Sequence, residues 1–285
     1  MEVVDAQVHV WERDRPGRPW DPGYGATGPI ARANLAHASE REITAEVMLA
    51  EMRKAGVDAA VVITPSIYGW DNSYSLEVAS RQPDRFIAVG RLDPAAGDLD
   101  ERLRTWLATP GMGAARLVVT SAGHRQQWLA GAFEPALAGA ERCGVPLFIY
   151  PPGFLAELER SLQAHPDLQL VVDHLGLAQP PLMAADPEPF ERLPELLRLA
   201  RFPNVCVKIT AAPALSREPF PFRGLKPHLE SIVGAFGVER VLWGSDWTRV
   251  ASLVDYPSLV AYSEEILDLS SAERALVLGG NVRRL

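Results

Sequence analysis

Cysteine is scarce in this sequence, which has only Cys143 and Cys206 among its 285 residues. The two lie far apart and match no metal or redox motif, so we expect buried free thiols in a reducing compartment. Long apolar runs are also missing, and Val3 and Val4 begin a strand pattern without the basic and apolar segments of a secretion signal. We therefore expect a soluble, cytoplasmic protein with no membrane partner.

Positive charge is likewise limited, because 28 Lys and Arg residues stand against 36 Asp and Glu residues and the formal net charge is -8. Phosphate backbones are bound by clustered Lys and Arg side chains, and the chain has no such cluster. We expect no nucleic-acid partner. A small anionic substrate remains compatible with a few local arginines, and a homo-oligomer is left open.

Eight apolar, β-branched runs are present, and most are separated by stretches with helical periodicity. Alternating strands and helices predict a parallel sheet. A doubly wound open sheet would favour a glycine-rich phosphate loop after the first strand, and this sequence has none. We therefore predict a single-domain (β/α)8 TIM barrel over residues 1–285. The predicted strands cover residues 3–8, 59–64, 86–90, 114–119, 146–150, 168–172, 204–209 and 240–244. The predicted helices cover residues 43–55, 73–81, 99–107, 133–142, 154–164, 190–201, 225–236 and 257–267.

Two connections are unusually long, residues 11–42 after strand 1 and residues 210–224 after strand 7. In a barrel, both rise from the C-terminal face, where active sites are built. Their aromatic side chains either wall a pocket there or pack the loops down. These side chains are Trp20, Tyr24, Phe220 and Phe222.

Polar residues stand at the ends of three predicted strands. In strand 1, Asp5, Gln7 and His9 alternate with apolar residues, so we expect all three on the face that leads into the barrel. Strand 6 ends at Asp173 and His174, and strand 8 leads to Asp246. A buried carboxylate beside two imidazoles is the composition of a general-base or metal site.

Four motifs in this order resemble the amidohydrolase-related branch of the amidohydrolase superfamily, which contains 2-pyrone-4,6-dicarboxylate lactonase and sugar lactonases. They are Asp5-x-Gln7-x-His9, Asp173-His174-Leu175-Gly176, Gly244-Ser245-Asp246-Trp247 and Gly280-Asn281-Val282-Arg283-Arg284-Leu285. The resemblance covers essentially the whole chain and implies the same barrel with a hydrolytic site.

The resemblance implies that His9, His174 and Asp246 are catalytic, with Asp246 activating water. Gln7 departs from the pattern, because metal-dependent members carry a histidine there, and Tyr150 stands where many relatives have a histidine or lysine. We therefore expect a metal-independent enzyme with no cofactor. If a metal is bound, His9, His174 and Asp246 are the expected ligands, and zinc or manganese is the alternative cofactor.

Arg116, at the end of strand 4, resembles the arginine that receives a substrate carboxylate in the lactonases, and its planar fork suits that task. A structural salt bridge is the alternative role for it. Lys208 and Arg249 are weaker cationic candidates at the same rim. The expected substrate-binding residues are Gln7, Arg116, Tyr150, Trp247 and Arg249.

The preferred function is hydrolysis of a lactone or similar activated ester, carboxylated or sugar-derived. Asp246 takes a proton from water, and His174, His9 and Tyr150 polarise the carbonyl group. One alternative is a metal-dependent decarboxylase of an aromatic or muconate acid. Another is a barrel that binds a ligand without catalysis.

Overall fold

The computed structural model describes residues 1–184 and 186–285 of the chain and contains one sheet of eight parallel strands in sequence order. The strands are β1 (Val4–Val8), β2 (Ala59–Ile63), β3 (Phe86–Arg91), β4 (Met112–Val118), β5 (Leu147–Tyr150), β6 (Leu170–Val172), β7 (Val205–Lys208) and β8 (Val241–Leu242). All eight predicted strands are present, and each of their bounds lies within two residues of the prediction.

Hydrogen bonds between the first and last strand regions close the sheet. Ala6 N donates to Trp243 O at 3.2 Å, and Asp246 N donates to Gln7 O at 2.9 Å. The order of strands and the helices between them confirm the predicted (β/α)8 barrel. The closure also places Gln7 beside the segment that carries Asp246.

Each strand except β8 is followed by at least one α-helix before the next strand. Their ends carry the expected signals: Thr44 caps the helix that begins at Ala45, and Gly56 follows it with a left-handed φ of 71°. No helix in the described ranges is long and apolar enough to cross a membrane. The helices are α1 (Pro29–Glu40), α2 (Ala45–Ala55), α3 (Ser73–Arg81), α4 (Leu99–Thr105), α5 (Ala122–Leu129), α6 (Glu134–Cys143), α7 (Leu155–Ala164), α8 (Leu193–Leu199), α9 (Lys226–Phe236), α10 (Trp247–Val250), α11 (Tyr256–Ile266) and α12 (Ser271–Ala275).

The long connection after β1 contains helix α1, which was not predicted as a helix. Its sequence signals are weak, because Gly28 precedes it without a side-chain cap and only Ala31, Asn34 and Ala38 are buried. By contrast, the connection after β7 has no α-helix between Thr210 and Gly224. Both long loops therefore exist, but only the first contains a helix.

The expectation that Asp5, Gln7 and His9 share one face of β1 is wrong for Asp5. The pairing of β1 with β2 shifts between Asp5 and Val8, as it does at a β-bulge. The Asp5 carboxylate is directed to the helix layer, where Tyr256 donates its hydroxyl to it at 2.6 Å. It also accepts the backbone N–H groups of Gln7 and Ser245. Of these three residues, only Gln7 and His9 therefore lie beside His174 and Asp246.

Candidate active site

A cavity of about 320 Å³ opens at the C-terminal ends of the strands. This is the face of a barrel that carries active sites. Loops form much of its wall, among them the loop after β1 with Tyr24 and Asn34, the loop after β4 with Ser121 and His124, and the loop after β6 with Gln179 and Met183. The strand ends contribute His9, Arg91, Arg116, Tyr150, His174 and Asp246.

The three predicted catalytic side chains meet at the bottom of this cavity. His9 Nε2 lies 3.4 Å from Asp246 Oδ1, and His174 Nε2 lies 3.9 Å from Asp246 Oδ2. His174 and Asp246 both have left-handed backbones, with φ of 52° and 47°. Such conformations are costly for residues other than glycine and cluster at functional sites. Asp246 Oδ1 is buried without a hydrogen-bond partner in the described residues.

The electrostatic environment favours neutral imidazoles beside a titratable carboxylate. Burial, reinforced by Arg249 and Arg116, lowers the pKa of His9 well below its ordinary value. Burial, Arg116 and Lys208 do the same to the pKa of His174. Burial raises the pKa of Asp246 to about 7, although the same cations oppose this shift. The carboxylate is thereby tuned close to neutral pH, as a general base requires.

Gln7 lies beneath the two imidazoles and fixes their hydrogen-bonding roles. Its Oε1 accepts a hydrogen bond from Lys208 Nζ, and its Nε2 lies 3.4 Å from Nε2 of both His9 and His174. A lysine ammonium only donates, so the amide atom that faces it is the oxygen and the N–H groups point to the rings. The Nε2 atoms of His9 and His174 are consequently unprotonated, and each directs its lone pair at Gln7.

His9 has a second hydrogen bond that supports the same tautomer. Its Nδ1 lies 2.7 Å from Ile63 O, and because a carbonyl oxygen only accepts, the ring proton is on Nδ1. Both neutral imidazoles therefore accept a hydrogen bond from Gln7 through Nε2. The expectation that they donate hydrogen bonds to the substrate carbonyl gains no support from this geometry. A different group must therefore polarise the substrate carbonyl.

A buried ion-pair chain continues below Gln7. Lys208 Nζ lies 2.7 Å from Asp173 Oδ1, and Arg116 Nε donates to Asp173 Oδ2 at 2.7 Å. All three side chains are buried, Lys208 and Asp173 completely. Sequence patterns alone make Lys208 a weaker candidate for substrate binding and give Asp173 no separate role. This geometry establishes the salt bridge that was the alternative role of Arg116, while Arg116 also lines the cavity.

Two further arginines line the cavity and have no carboxylate within ion-pair distance in the described part of the chain. Arg249 was expected at the rim, whereas Arg91 was missed. Arg91 Nη1 donates to Gly69 O at 2.6 Å, and its guanidinium lies over the Trp70 ring. Arg91 is the last residue of an apolar strand, so the rule that selected Arg116 could also have found it. Three guanidinium groups thus face one cavity in an acidic protein.

The remaining predicted substrate contacts are divided between the cavity and the surrounding core. Tyr150 lines the cavity, donates its hydroxyl to Leu177 O at 3.1 Å and packs its ring edge-to-face against His174. Trp247 is buried against Tyr256 and is outside the set of described cavity residues, as is Gln7. Their expected substrate contacts therefore gain no support from the geometry.

The loop aromatics follow both of the expected roles. Tyr24 lines the cavity. Trp20 instead donates its indole N–H to Glu12 O at 3.0 Å, and Phe222 packs against Tyr262. Phe220 is 46% exposed and contacts the Phe222 ring. Of the four aromatic residues, only Tyr24 therefore lines the cavity.

His9, His174 and Asp246 are the residues that would have to hold a zinc or manganese ion. A catalytic zinc usually has three protein ligands and an open position, which this trio could supply in number. However, the Gln7 amide already directs its N–H groups at the imidazole lone pairs that a metal needs. Within the described ranges, no three His, Cys, Asp or Glu side chains have a spacing that could hold a metal. As arranged, the residues do not fit one.

A family model described as amidohydrolase matches residues 4–285. The chain belongs to the amidohydrolase family. Among curated members, it is 26% identical over 98% of its length to an L-fucono-1,5-lactonase of Burkholderia ambifaria, covering 93% of that protein. It is 25% identical over 80% of its length to a 4-sulfomuconolactone hydrolase of Hydrogenophaga intermedia, covering 74% of that protein.

The amidohydrolase fold is also shown by comparison with solved structures. One is a crystal structure of an amidohydrolase from Burkholderia multivorans with bound zinc, with a TM-score of 0.77 and 20% identity. The alignment covers 100% of this chain and 98% of that chain. At this identity the likeness establishes the fold, so the chemistry has to be argued from the side chains described above.

Proposed function

We propose that this amidohydrolase hydrolyses a lactone that carries an anionic group, with Asp246 as the general base. The names of the two curated relatives support the lactone, since both act on cyclic esters by those names. The observation that carries the proposal is the meeting of Asp246, His9 and His174 in a cavity lined by three arginines. The arginines support the anionic group, because guanidinium groups pair with carboxylates and related anions.

In the proposed reaction, a water molecule donates a hydrogen bond to the Asp246 carboxylate beside the imidazoles of His9 and His174. Asp246 takes a proton from this water as its oxygen attacks the lactone carbonyl carbon. Collapse of the tetrahedral intermediate breaks the ring C–O bond, and the protonated Asp246 returns its proton to the leaving oxygen. The products are a hydroxyl group and a carboxylic acid on one open chain, and the acid then loses its proton to solvent as a carboxylate.

Arg249 is the group that we assign to the developing oxyanion. Arg249 lines the cavity one helical turn from Asp246, to whose backbone oxygen its backbone N–H group donates at 2.8 Å, and its charge lowers the pKa of both His9 and Asp246. A charged donor in a buried site stabilises an oxyanion without reorganisation. Arg249 thereby takes the polarising role that the neutral imidazoles cannot fill.

A panel of lactones and related esters tests the proposal. Carboxylated, sulfonated and neutral sugar lactones should be compared with an open-chain ester and with aromatic and muconate acids. Hydrolysis of a cyclic ester is the expected result. Carbon dioxide release from an acid would instead indicate a decarboxylase, and tight binding without turnover would indicate a ligand-binding barrel.

The pH dependence of kcat/KM should reveal the titration of Asp246. The base must be ionised, so activity should be high above its pKa of about 7 and fall about tenfold per unit below it. Initial rates between pH 5 and 8.5, corrected for spontaneous lactone hydrolysis, provide the measurement. A flat profile through neutral pH would rule out a base with this pKa.

Arg116→Lys should weaken recognition of a carboxylated lactone specifically. Lysine keeps the charge but loses the fork, and one charge-assisted hydrogen bond contributes about 1.5 kcal/mol, or roughly tenfold in KM. The KM of a neutral lactone should stay within about twofold. Equal changes for both substrates would mean that Arg116 serves only the ion pair with Asp173.

We expect the purified protein to be active without stoichiometric metal, because the Gln7 amide engages the imidazole lone pairs. Elemental analysis of protein prepared without added metal, followed by assays after chelation, gives the measurement. One zinc or manganese per chain, with activity lost on chelation and restored by that metal, would contradict this expectation. That result would also favour the decarboxylase.

A further inference from the structure

Lys208 is a completely buried cation at the centre of the barrel, and the reaction proposed above gives it no direct contact with substrate. It is also outside the set of described residues that line the cavity. Its Nζ has three oxygen partners: Gln7 Oε1, Asp173 Oδ1 at 2.7 Å and Ala6 O at 3.2 Å. A buried ammonium is costly unless its partners compensate it, and here they do.

The contact with Gln7 differs from the other two because it determines the orientation of a rotatable group. A terminal amide can present either its oxygen or its nitrogen to the same neighbour. Facing Lys208, only the oxygen is compatible, so the two N–H bonds of Gln7 turn toward Nε2 of His9 and Nε2 of His174. An amide has two N–H bonds, and two acceptors stand opposite them.

We propose that Lys208 is a positioning residue that acts through Gln7, keeping the imidazoles of His9 and His174 as hydrogen-bond acceptors at the reaction centre. The predicted effect on catalysis rests on the proposed function. The predicted position of the proton on each imidazole ring does not depend on that function. Groups that orient a catalytic or metal-binding imidazole in this way typically change activity by 10- to 100-fold when replaced.

The two imidazoles depend on Gln7 to different degrees, which provides an internal control. His9 Nδ1 donates to Ile63 O and keeps its proton there without help from Gln7. His174 Nδ1 has no hydrogen-bond partner of good geometry in the described chain, and only a weak backbone contact with Thr210 raises the pKa of this ring. Disturbing the Lys208–Gln7 contact should therefore change the tautomer of His174 and leave that of His9 in place.

The test is ¹⁵N NMR of histidine-labelled protein, in which each ring nitrogen reports its own protonation. In the wild type, both rings should carry the proton on Nδ1. Lys208→Met removes the cation but keeps an unbranched side chain, and His174 should then populate the Nε2–H form. With any lactone that is turned over, kcat should fall about 10- to 100-fold and KM should change by less than about threefold. Lys226→Met, at a half-exposed surface position, is the matched control.

Gln7→Glu keeps the side-chain length and an oxygen toward Lys208 but removes both N–H donors. It therefore tests the same proposal if Lys208→Met does not fold. His174 should move to the Nε2–H form in this variant. A wild-type spectrum with His174 protonated on Nε2, or an unchanged His174 in the folded variants, would overturn the proposal. Because the spectra need no turnover, they also separate this outcome from failure to find a hydrolysed lactone.

Discussion

Asp246→Asn should abolish lactone hydrolysis while the barrel remains folded. The amide retains the shape of the carboxylate but cannot accept a proton from water, and loss of a general base costs about 10²- to 10⁴-fold in kcat. The backbone contact from Asp246 N to Gln7 O is unaffected by the substitution. Turnover and the circular dichroism spectrum should be measured on the same preparation.

Asp268→Asn is the matched control, because Asp268 is exposed and is not among the described residues that line the cavity. It should retain wild-type kcat. If the folded Asp246→Asn protein keeps more than about a tenth of wild-type kcat, the general base is a different group.

Asp173→Asn should destabilise the folded protein strongly. The Asp173 carboxylate is the shared partner of two buried cations, Arg116 Nε and Lys208 Nζ, each at 2.7 Å. Removing one partner of a buried ion pair typically costs about 3–5 kcal/mol, because the remaining charge is left without compensation. The midpoint of urea unfolding should fall accordingly, with an unchanged slope if the denatured state is unaffected.

The same surface variant, Asp268→Asn, should change stability by less than about 0.5 kcal/mol. A loss below about 1 kcal/mol in Asp173→Asn would mean that Lys208 becomes neutral at little cost when its partner is removed. In that variant, Lys208 would no longer be an ammonium that can only donate to Gln7.

The positions of the strands and of His9, His174 and Asp246 could be predicted from sequence because both depend on local patterns. Apolar β-branched runs mark the strands, and a polar residue where such a run ends marks the C-terminal face of the barrel. His9, His174 and Asp246 all follow this rule, and they meet in one cavity. The same rule, applied to Arg91, would have added the missed arginine.

Other features depend on contacts between distant parts of the chain. The bulge in β1 breaks the strict alternation that predicted Asp5 and Gln7 on the same face of the strand. No residue type in that strand predicts the bulge. The ion pairs of Asp173 and the hydrogen bond from Lys208 to Gln7 join different strands. Sequence can supply the charges, but only the register of the barrel decides which of them become partners.

Closure of the barrel by its first and last strands has a consequence for synthesis of the protein. A nascent chain that has not yet reached Val241 has no β8 and no Asp246, although His9 left the ribosome at the beginning. Its sheet has an unpaired edge at β1 and another at β7, which are surfaces prone to aggregation. Interrupted translation therefore yields fragments that lack Asp246 and expose two strand edges, rather than a smaller closed barrel.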